Sequence, residues 1–321
     1  MRIYALLIVA LAALAGGIAL CGGAEPPAPE RPAALVANLR VARNGFHTKL
    51  TRQEHEDEAV AEPPPELFRV VHYESPAGKL AAYLSVAPKD AAKHPAMIWI
   101  FGGFDNSIGE TAWQPAEAKN DQSARAFREA GMVMMYPSFR GGNKNPGFKE
   151  AFYGEVDDVL AAAEFLSKQP FIDPKRIYLG GHSTGGTMAL LAAEMSDQFR
   201  AVISFGPVAS VAGYGSDSLP FDTRSRPEIA VRSPAPWLGG IRTPVFVFEG
   251  DTGTSNIKSL KALEKVSKNP QVHFHPVPGL SHFSVLAPAT KLIAAKLKAD
   301  TGDTVNVSFS AEELAGLAAG K

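Results

Sequence analysis

Gly181-His182-Ser183-Thr184-Gly185 joins a strand-like run at 176–179 to a helix-like run at 187–194. The turn between two such elements is tight, so a side chain at either glycine would collide with the neighbouring strand or helix. We expect the turn to hold Ser183 in a strained backbone conformation that exposes its Oγ above the sheet. The amino terminus of the next helix favours negative charge developing beside that oxygen.

A strand, a Gly-x-Ser-x-Gly turn and a helix are typical of the nucleophile elbow of α/β hydrolases. The alternative is a glycine-rich turn without chemistry, because the pentapeptide alone is a loose pattern. The flanking strand and helix favour the catalytic interpretation, and Gly186 extends the run of small residues that brings the helix close to the sheet.

The composition is that of an ordinary globular protein. Hydrophobic residues make up 45% and charged residues 20% of the 321 residues, which allows one large α/β domain or two small ones. The formal net charge is -1 and there is no basic stripe interleaved with aromatic residues, so a nucleic-acid partner is not expected. The single cysteine, Cys21, excludes an internal disulfide.

The amino-terminal segment, residues 1–21, has the pattern of an export signal: a short basic start, an apolar run and small residues. Three outcomes are open. Signal peptidase could cleave at Ala13-Leu14-Ala15, or the run could remain as a membrane anchor, since it is near the minimum spanning length. In the third outcome Cys21 is lipidated, because Ile18-Ala19-Leu20-Cys21 resembles a bacterial lipobox with leucine where a small residue is usual. Each outcome places the protein in the cell envelope, periplasmic or membrane-anchored.

Residues 22–66 are rich in alanine, proline and glutamate, and prolines at this density predict a semi-extended linker. For 44–50 a turn and short strand docked on the domain is the alternative. The run Glu54-His55-Glu56-Asp57-Glu58 is interpreted as a solvated acidic face.

Residues 67–303 alternate strand-like and helix-like segments, which predicts a mainly parallel sheet with helices on both faces. Residues 211–240 are irregular and rich in serine, proline, arginine and glycine, and we interpret them as a small cap over the site. Residues 304–321 form a carboxy-terminal appendage. The predicted strands centre on 68–73, 80–86, 96–101, 132–137, 176–179, 201–205, 244–248 and 272–277.

His282 is predicted to be the general base. A serine hydroxyl needs a base, and the base needs an orienting acid. Of eight histidines, only His282 stands on a loop shortly after the last strand; the alternative is a surface-loop histidine. His182 is interpreted as a packing residue that points away from the chemistry. His273 and His275 share one strand face, but no carboxylate stands at a ligand spacing, so neither a metal nor another cofactor is expected.

The acid of the site should follow the strand at 244–248. Asp251 is the preferred residue. Glu249 lies closer to the strand end, and Asp217 or Asp222 would serve if the acid came from the preceding loop. Each of them could equally be a solvated loop carboxylate.

The oxyanion of acyl transfer needs two backbone N–H donors. One should be the amide of Thr184, directly after the nucleophile. The other should come from Gly102-Gly103-Phe104, where small residues permit close backbone approach; we favour the amide of Phe104, with Gly103 next.

Residues 131–186 resemble the catalytic domain of the prolyl oligopeptidase family, within the α/β hydrolases. The resemblance implies that Ser183 is the nucleophile and His282 the base. The family commonly has His-Gly before its acid and an aspartate three positions past the glycine, where this chain has Gly253 after Glu249-Gly250. The matching motifs are Ser138-Phe139-Arg140-Gly141-Gly142, Glu155-Val156-Asp157-Asp158-Val159, Asp173-Pro174-Lys175-Arg176-Ile177 and the elbow with Gly186.

The resemblance covers the catalytic domain only and leaves no room for the amino-terminal β-propeller that restricts family peptidases to short peptides. We therefore expect an exported serine hydrolase of carboxylic esters that forms an acyl-enzyme and needs no cofactor. Peptides are the second substrate class. The rival of a different class is a catalytically silent hydrolase-like domain that binds a ligand at the cell envelope.

Overall fold

The central sheet of this protein is built from continuous apolar runs. The computed structural model describes residues 38–319. The eight strands lie in the order β1-β2-β4-β3-β5-β6-β7-β8. β1 pairs antiparallel with β2, and β2 with β4, while the remaining neighbours are parallel. The strands are β1 (Phe68–Ser75), β2 (Gly78–Ser85), β3 (His94–Ile100), β4 (Val133–Pro137), β5 (Ile172–His182), β6 (Val202–Phe205), β7 (Val245–Gly250) and β8 (Val272–Val277).

Helices cover both faces of the sheet. On one face α1, α3, α4 and α6 pack against the strands, and on the other α2, α7 and α8 do so. The helices are α1 (Leu39–Arg43), α2 (Ala126–Glu129), α3 (Gly154–Ser167), α4 (Thr184–Met195), α5 (Arg226–Ala230), α6 (Ile257–Val266), α7 (Leu286–Ala299) and α8 (Ala311–Gly316).

The sheet separates two hydrophobic cores, one on each face, and single strands contribute side chains to both. In β3, Ile98 and Ile100 belong to one core and Met97 and Trp99 to the other, because successive side chains of a strand point to opposite faces. A strand buried on both faces reads as an unbroken apolar run. This confirms the predicted mainly parallel α/β sheet with helices on both faces.

The predicted linker at 22–66 is wrong for its described part, since residues 38–66 are docked on the sheet domain. Leu39 is fully buried, and Leu50 forms a β-bridge with Phe221. The Arg43 guanidinium donates hydrogen bonds to the main-chain carbonyls of Phe152, Tyr153 and Val231. Proline restricts helix and sheet but does not prevent such contacts. The export segment 1–21 lies outside the described residues, and from 38 to 319 no helix is long and apolar enough to cross a membrane.

The segment 211–240 contains α5 and two short 3₁₀ helices, Val211–Tyr214 and Leu238–Gly240. Its anchor is Arg232, which is fully buried. Arg232 pairs with Glu228 and donates to the carbonyls of Glu150 and Ala151. The segment is therefore fixed to the loop before α3, which lines the cavity described below.

The carboxy-terminal residues pack across the end of the sheet. Phe309 makes edge-to-face contacts with Phe246, Phe248 and His275, and Ser310 with Glu313 forms a capping box for α8. His275 Nε2 is buried without a hydrogen-bond partner among the described residues. Burial, and secondarily the nearby His273, lower the pKa of His275 to about 4.

The low pKa of His275 predicts a loss of stability on acidification. Its unfolded-state pKa is near 6.5, so below that pH His275 is protonated in the unfolded chain. In the folded chain it stays neutral until the pH falls to about 4. This penalty should lower the free energy of unfolding by roughly 1–2 kcal/mol between pH 7 and pH 5. Urea unfolding at the two pH values should show a smaller drop for His275→Gln than for the wild type. His72→Gln, at an exposed histidine, is the matched control and should behave as the wild type; equal drops in all three proteins would contradict this.

Candidate active site

The elbow places Ser183 between the end of β5 and the start of α4. Its backbone has φ 58° and ψ -114°, a region that residues other than glycine rarely adopt. A Cβ at Gly181 would overlap the carbonyl of Gly185, and one at Gly185 would overlap the carbonyl of Ile100. The strain and the need for glycine expected from the sequence are therefore both present in the structure.

The loop after β3 lies directly against the elbow. A Cβ added to Gly102 would stand 3.2 Å from Ser183 Cβ and 3.0 Å from His182 Nδ1. The Thr184 hydroxyl donates a hydrogen bond to the Gly103 carbonyl. Two segments far apart in sequence thus come together beside the serine.

His282 lies beside the elbow, on the loop between β8 and α7. Its side chain is buried, with 5% of the residue exposed. Its N–H donates to the Thr254 carbonyl at 2.8 Å, and its own carbonyl lies 3.0 Å from His182 Nε2. The centroids of the His182 and His282 rings are 4.4 Å apart. The structure therefore brings the predicted base to the elbow.

His182 is buried, as its interpretation as a packing residue implies, but the ring points towards the loop that carries His282 and not away from it. The ring contacts the loop that carries His282, and Nδ1 lies 3.1 Å from Gln122 Oε1. Burial, and secondarily the proximity of His282, lower the pKa of His182 to about 3. The ring is therefore neutral near pH 7. His182 contacts the loop that carries His282 as an uncharged side chain.

The carboxylate beside His282 is that of Glu249, not that of the preferred Asp251. Glu249 Oε2 lies 3.0 Å from His282 Nδ1, and the Glu249 side chain is fully buried. The amide of Asn256 donates to Glu249 Oε1 at 3.2 Å. Asp251 is exposed and accepts from the Gly279 amide at 2.8 Å.

The physical reason is the length of β7. The strand continues through Gly250, so Glu249 still points from the sheet towards His282, while Asp251 has entered the turn. The alternatives Asp217 and Asp222 are also exposed. One sequence signal favours Glu249: a carboxylate at the end of an otherwise apolar strand must find a partner when it is buried.

Gly206 was not identified from the sequence, and it makes room for the acid–base pair. It follows β6 with φ +57°, and a Cβ there would overlap the Glu249 carboxylate and the His282 ring, with Nδ1 at 2.6 Å. Its carbonyl accepts from Asn256 Nδ2 at 2.8 Å. Only glycine fits this position without moving one of the two side chains.

Gly206→Ala is expected to lower kcat by about a hundredfold or more, because displacing a catalytic group by 1 Å has an effect of that size. The measurement is steady-state turnover of an activated ester, with circular dichroism to verify folding. Gly213→Ala is the matched control, since a Cβ there meets nothing within 4 Å. A folded Gly206→Ala protein with wild-type kcat would contradict the arrangement.

A mostly apolar cavity of about 40 Å³ abuts the elbow and the loop after β3. Thr184 and Gly103 form the wall nearest the serine, and Glu54 and Lys149 contribute charged groups. Its apolar lining includes Ile100, Phe101, Phe104, Ile108, Phe139, Phe152, Met188 and Pro220. Such a cavity suits a small apolar part of a substrate.

Glu155 holds one wall of this cavity. Its buried carboxylate accepts from the amides of Glu150, Ala151 and Tyr153. That network fixes Ala151 and Phe152 at φ 51° and 66°. Glu155 belongs to a motif that resembles the prolyl oligopeptidase family. The role of its carboxylate in shaping the cavity depends on contacts that the local sequence does not reveal.

Comparisons with known proteins give matches over parts of this chain. Residues 119–232 match the model of the prolyl oligopeptidase family. An uncharacterized peptidase, YtmA, of Bacillus subtilis (strain 168) is 34% identical over 87 residues, which are 26% of this chain and 34% of the relative. In the residues from 38 to 319, no group of three or more His, Cys, Asp or Glu side chains could hold a metal ion.

Two solved structures share the fold. The Pyrococcus horikoshii acylaminoacyl peptidase is 16% identical, with a TM-score of 0.58 over 77% of this chain and 44% of its own. A Mycobacterium tuberculosis puromycin-hydrolyzing peptidase is 19% identical, with a TM-score of 0.57 over 75% of this chain and 40% of its own. The chain thus spans less than half the length of these relatives. The elbow, the buried histidine and these structural matches together show the α/β-hydrolase fold, within which residues 119–232 are similar to the prolyl oligopeptidase family.

Proposed function

We propose that the protein is a serine peptidase that cleaves small peptides or acylated amino acids through an acyl-enzyme on Ser183. The observation that carries the proposal is the pair formed by His282 Nδ1 and Glu249 Oε2, 3.0 Å apart, beside a serine held at φ 58°. The choice of peptides rests on the family match over residues 119–232 and on the relative named as an uncharacterized peptidase.

In the proposed reaction His282 Nε2 takes the proton of Ser183 Oγ as the oxygen attacks the substrate carbonyl. Glu249 accepts from His282 Nδ1–H, which fixes the tautomer and stabilises the imidazolium. The imidazolium then gives its proton to the leaving amine or alcohol. Water attacks the acyl-enzyme by the same route in reverse order and releases the acid.

The oxyanion is proposed to accept from the amides of Thr184 and Gly103. Thr184 is the first residue of α4, so its N–H has no partner within the helix. The carbonyl of Gly103 accepts from the Thr184 hydroxyl, and the carbonyl and N–H of one trans peptide point in opposite directions. The amide of Phe104 therefore points away from that hydroxyl, which favours Gly103 over Phe104 as the second donor.

The cavity beside Gly103 and Thr184 is proposed to take the side chain next to the scissile carbonyl. Its volume of about 40 Å³ exceeds the ~10–15 Å³ that one water needs by a factor of about three. Residues with short apolar side chains, such as alanine, are therefore the expected acyl donors.

Ester hydrolysis is the second candidate, favoured by the same small apolar cavity and by the ease with which an acyl-enzyme forms from an ester. The test is a matched substrate set: N-acetyl-alanine, N-acetyl-phenylalanine and N-acetyl-lysine, each as p-nitroanilide and p-nitrophenyl ester. We expect hydrolysis of both alanine compounds, with the larger acyl groups slower. Turnover of the esters alone would favour an esterase, and turnover of none would support the silent binding domain.

Export to the cell envelope remains part of the proposal, on the sequence of residues 1–21 alone. Cell fractionation with and without these residues tests it. Metabolic labelling with a palmitate analogue, compared with Cys21→Ser, separates a lipoprotein from a cleaved or retained signal. Retention of the full-length protein in the cytoplasm would contradict export.

A further inference from the structure

Phe283 presents a large apolar surface to solvent directly beside the catalytic histidine. It is 43% exposed. Its ring lies edge-on to the His282 ring at a centroid distance of 5.0 Å and to the His182 ring at 5.6 Å. The other exposed large apolar residues between positions 38 and 319 are Val41, Val86, Phe148 and Val266.

An exposed phenylalanine leaves unused part of the stabilisation that full burial of its side chain would contribute. Single exposed apolar residues are common on protein surfaces and need no explanation by themselves. Phe283 differs because its ring packs at steep angles, 62° and 83°, against two rings of the site while 43% of the residue stays exposed. An aromatic face of this kind is suited to stacking with a flat or apolar group.

Phe283 lies on the side of the site where the leaving half of the substrate is expected. In the proposed reaction the acyl half lies towards Gly103, Thr184 and the apolar cavity. The leaving half must lie next to the imidazole, because His282 Nε2 gives it a proton. Phe283 follows His282 in the chain and touches its ring, so it borders the space that the leaving half must enter.

We infer that Phe283 is a specificity-determining platform for the leaving group, and that it favours an apolar or aromatic amine or alcohol over a small one. The inference rests on the proposed function and adds to it the chemistry of the leaving side. Contact with the platform lowers the barrier to acylation, and so it acts on kcat/KM. Deacylation is untouched, since the leaving group has gone by then.

The test is internal competition between two esters of N-acetyl-alanine, the methyl ester and the 2-phenylethyl ester. Their alcohols are of similar acidity, so the ratio of their kcat/KM values reports binding of the leaving group and is independent of the active fraction. We expect the wild type to prefer the phenylethyl ester by about five- to tenfold. Phe283→Ala should bring the ratio to about one, and Phe283→Leu should give an intermediate value.

Val266→Ala is the matched control, because Val266 is exposed to 54% at the end of α6; it should keep the wild-type ratio. The inference would be overturned by a wild type that does not prefer the phenylethyl ester, or by a ratio that is unchanged in Phe283→Ala. The proposed function would still stand in that case, provided that the protein hydrolyses esters and Ser183 reacts with a fluorophosphonate. Loss of both hydrolysis and labelling in the wild type would instead remove the proposed function, and the inference with it.

Discussion

Glu249→Gln is expected to lower kcat/KM by about 10³- to 10⁴-fold, whereas Asp251→Asn should leave it within about twofold. The buried Glu249 carboxylate is the group 3.0 Å from His282 Nδ1. A glutamine of the same shape lacks the charge that stabilises the imidazolium. It can also present its amide N–H₂ to Nδ1, which places the ring proton on Nε2 and prevents that atom from acting as a base.

The pair of variants separates a catalytic effect from a structural one. Both replace a carboxylate by the amide of the same size, and Asp251 accepts one hydrogen bond from the Gly279 amide that asparagine can also accept. The measurement is kcat/KM for one activated ester, with the melting temperature recorded for each protein. A large loss in Asp251→Asn together with a small loss in Glu249→Gln would reassign the acid and contradict the contact seen here.

Ser183→Ala should produce the largest loss of all, about 10⁴-fold or more in kcat, because no other group replaces the nucleophile. The residual rate should come from the two backbone donors and from substrate binding. Folding should persist, since alanine removes one oxygen and the backbone at φ 58° is held by the close packing around Gly181 and Gly185.

The control for this variant is Ser216→Ala, at an exposed serine in the 211–240 segment, and it should retain wild-type turnover. The same activated ester gives both kcat values, with the enzyme concentration taken from the protein absorbance because Ser183→Ala has no nucleophile to titrate. Ser183→Ala with more than about a tenth of the wild-type kcat would mean that another residue carries the acyl group.

The parts of this protein that could be predicted from sequence are those that depend on neighbours in the chain. The elbow is one, because the strained serine requires glycines within two positions of it. The strands are another, since β3 and β7 are buried on both faces and read as apolar runs. His282 was found because the loop after the last strand brings one histidine to the carboxyl edge of the sheet.

The rest depends on distances between segments that are far apart in sequence. The choice between Glu249 and Asp251 is set by where β7 ends relative to the loop that carries His282, and the acid-spacing pattern of the related family does not supply that. Gly206 looks like any glycine after a strand until the side chains of Glu249 and His282 are placed against it.

The docking of residues 38–66 likewise depends on contacts with segments far away in the sequence. The sequence predicts that Glu56 belongs to a solvated acidic face, yet its carboxylate accepts from the amide and hydroxyl of Ser107 and pairs with Lys149. Burial and the contacts with Lys149 and Ser107 have opposing effects, and the net result is a lowered pKa for Glu56. The composition of these residues indicates a linker. It cannot reveal the docking, because the partners of these side chains lie far away in the sequence.

The most direct test of the account is the site at which a fluorophosphonate reacts. Intact mass and peptide mapping should show one adduct per chain, on Ser183, with no adduct in Ser183→Ala and much slower labelling of Glu249→Gln than of Asp251→Asn. A folded wild-type protein that acquires no adduct, or acquires it on another serine, would contradict the claim that Ser183, His282 and Glu249 act as one catalytic unit.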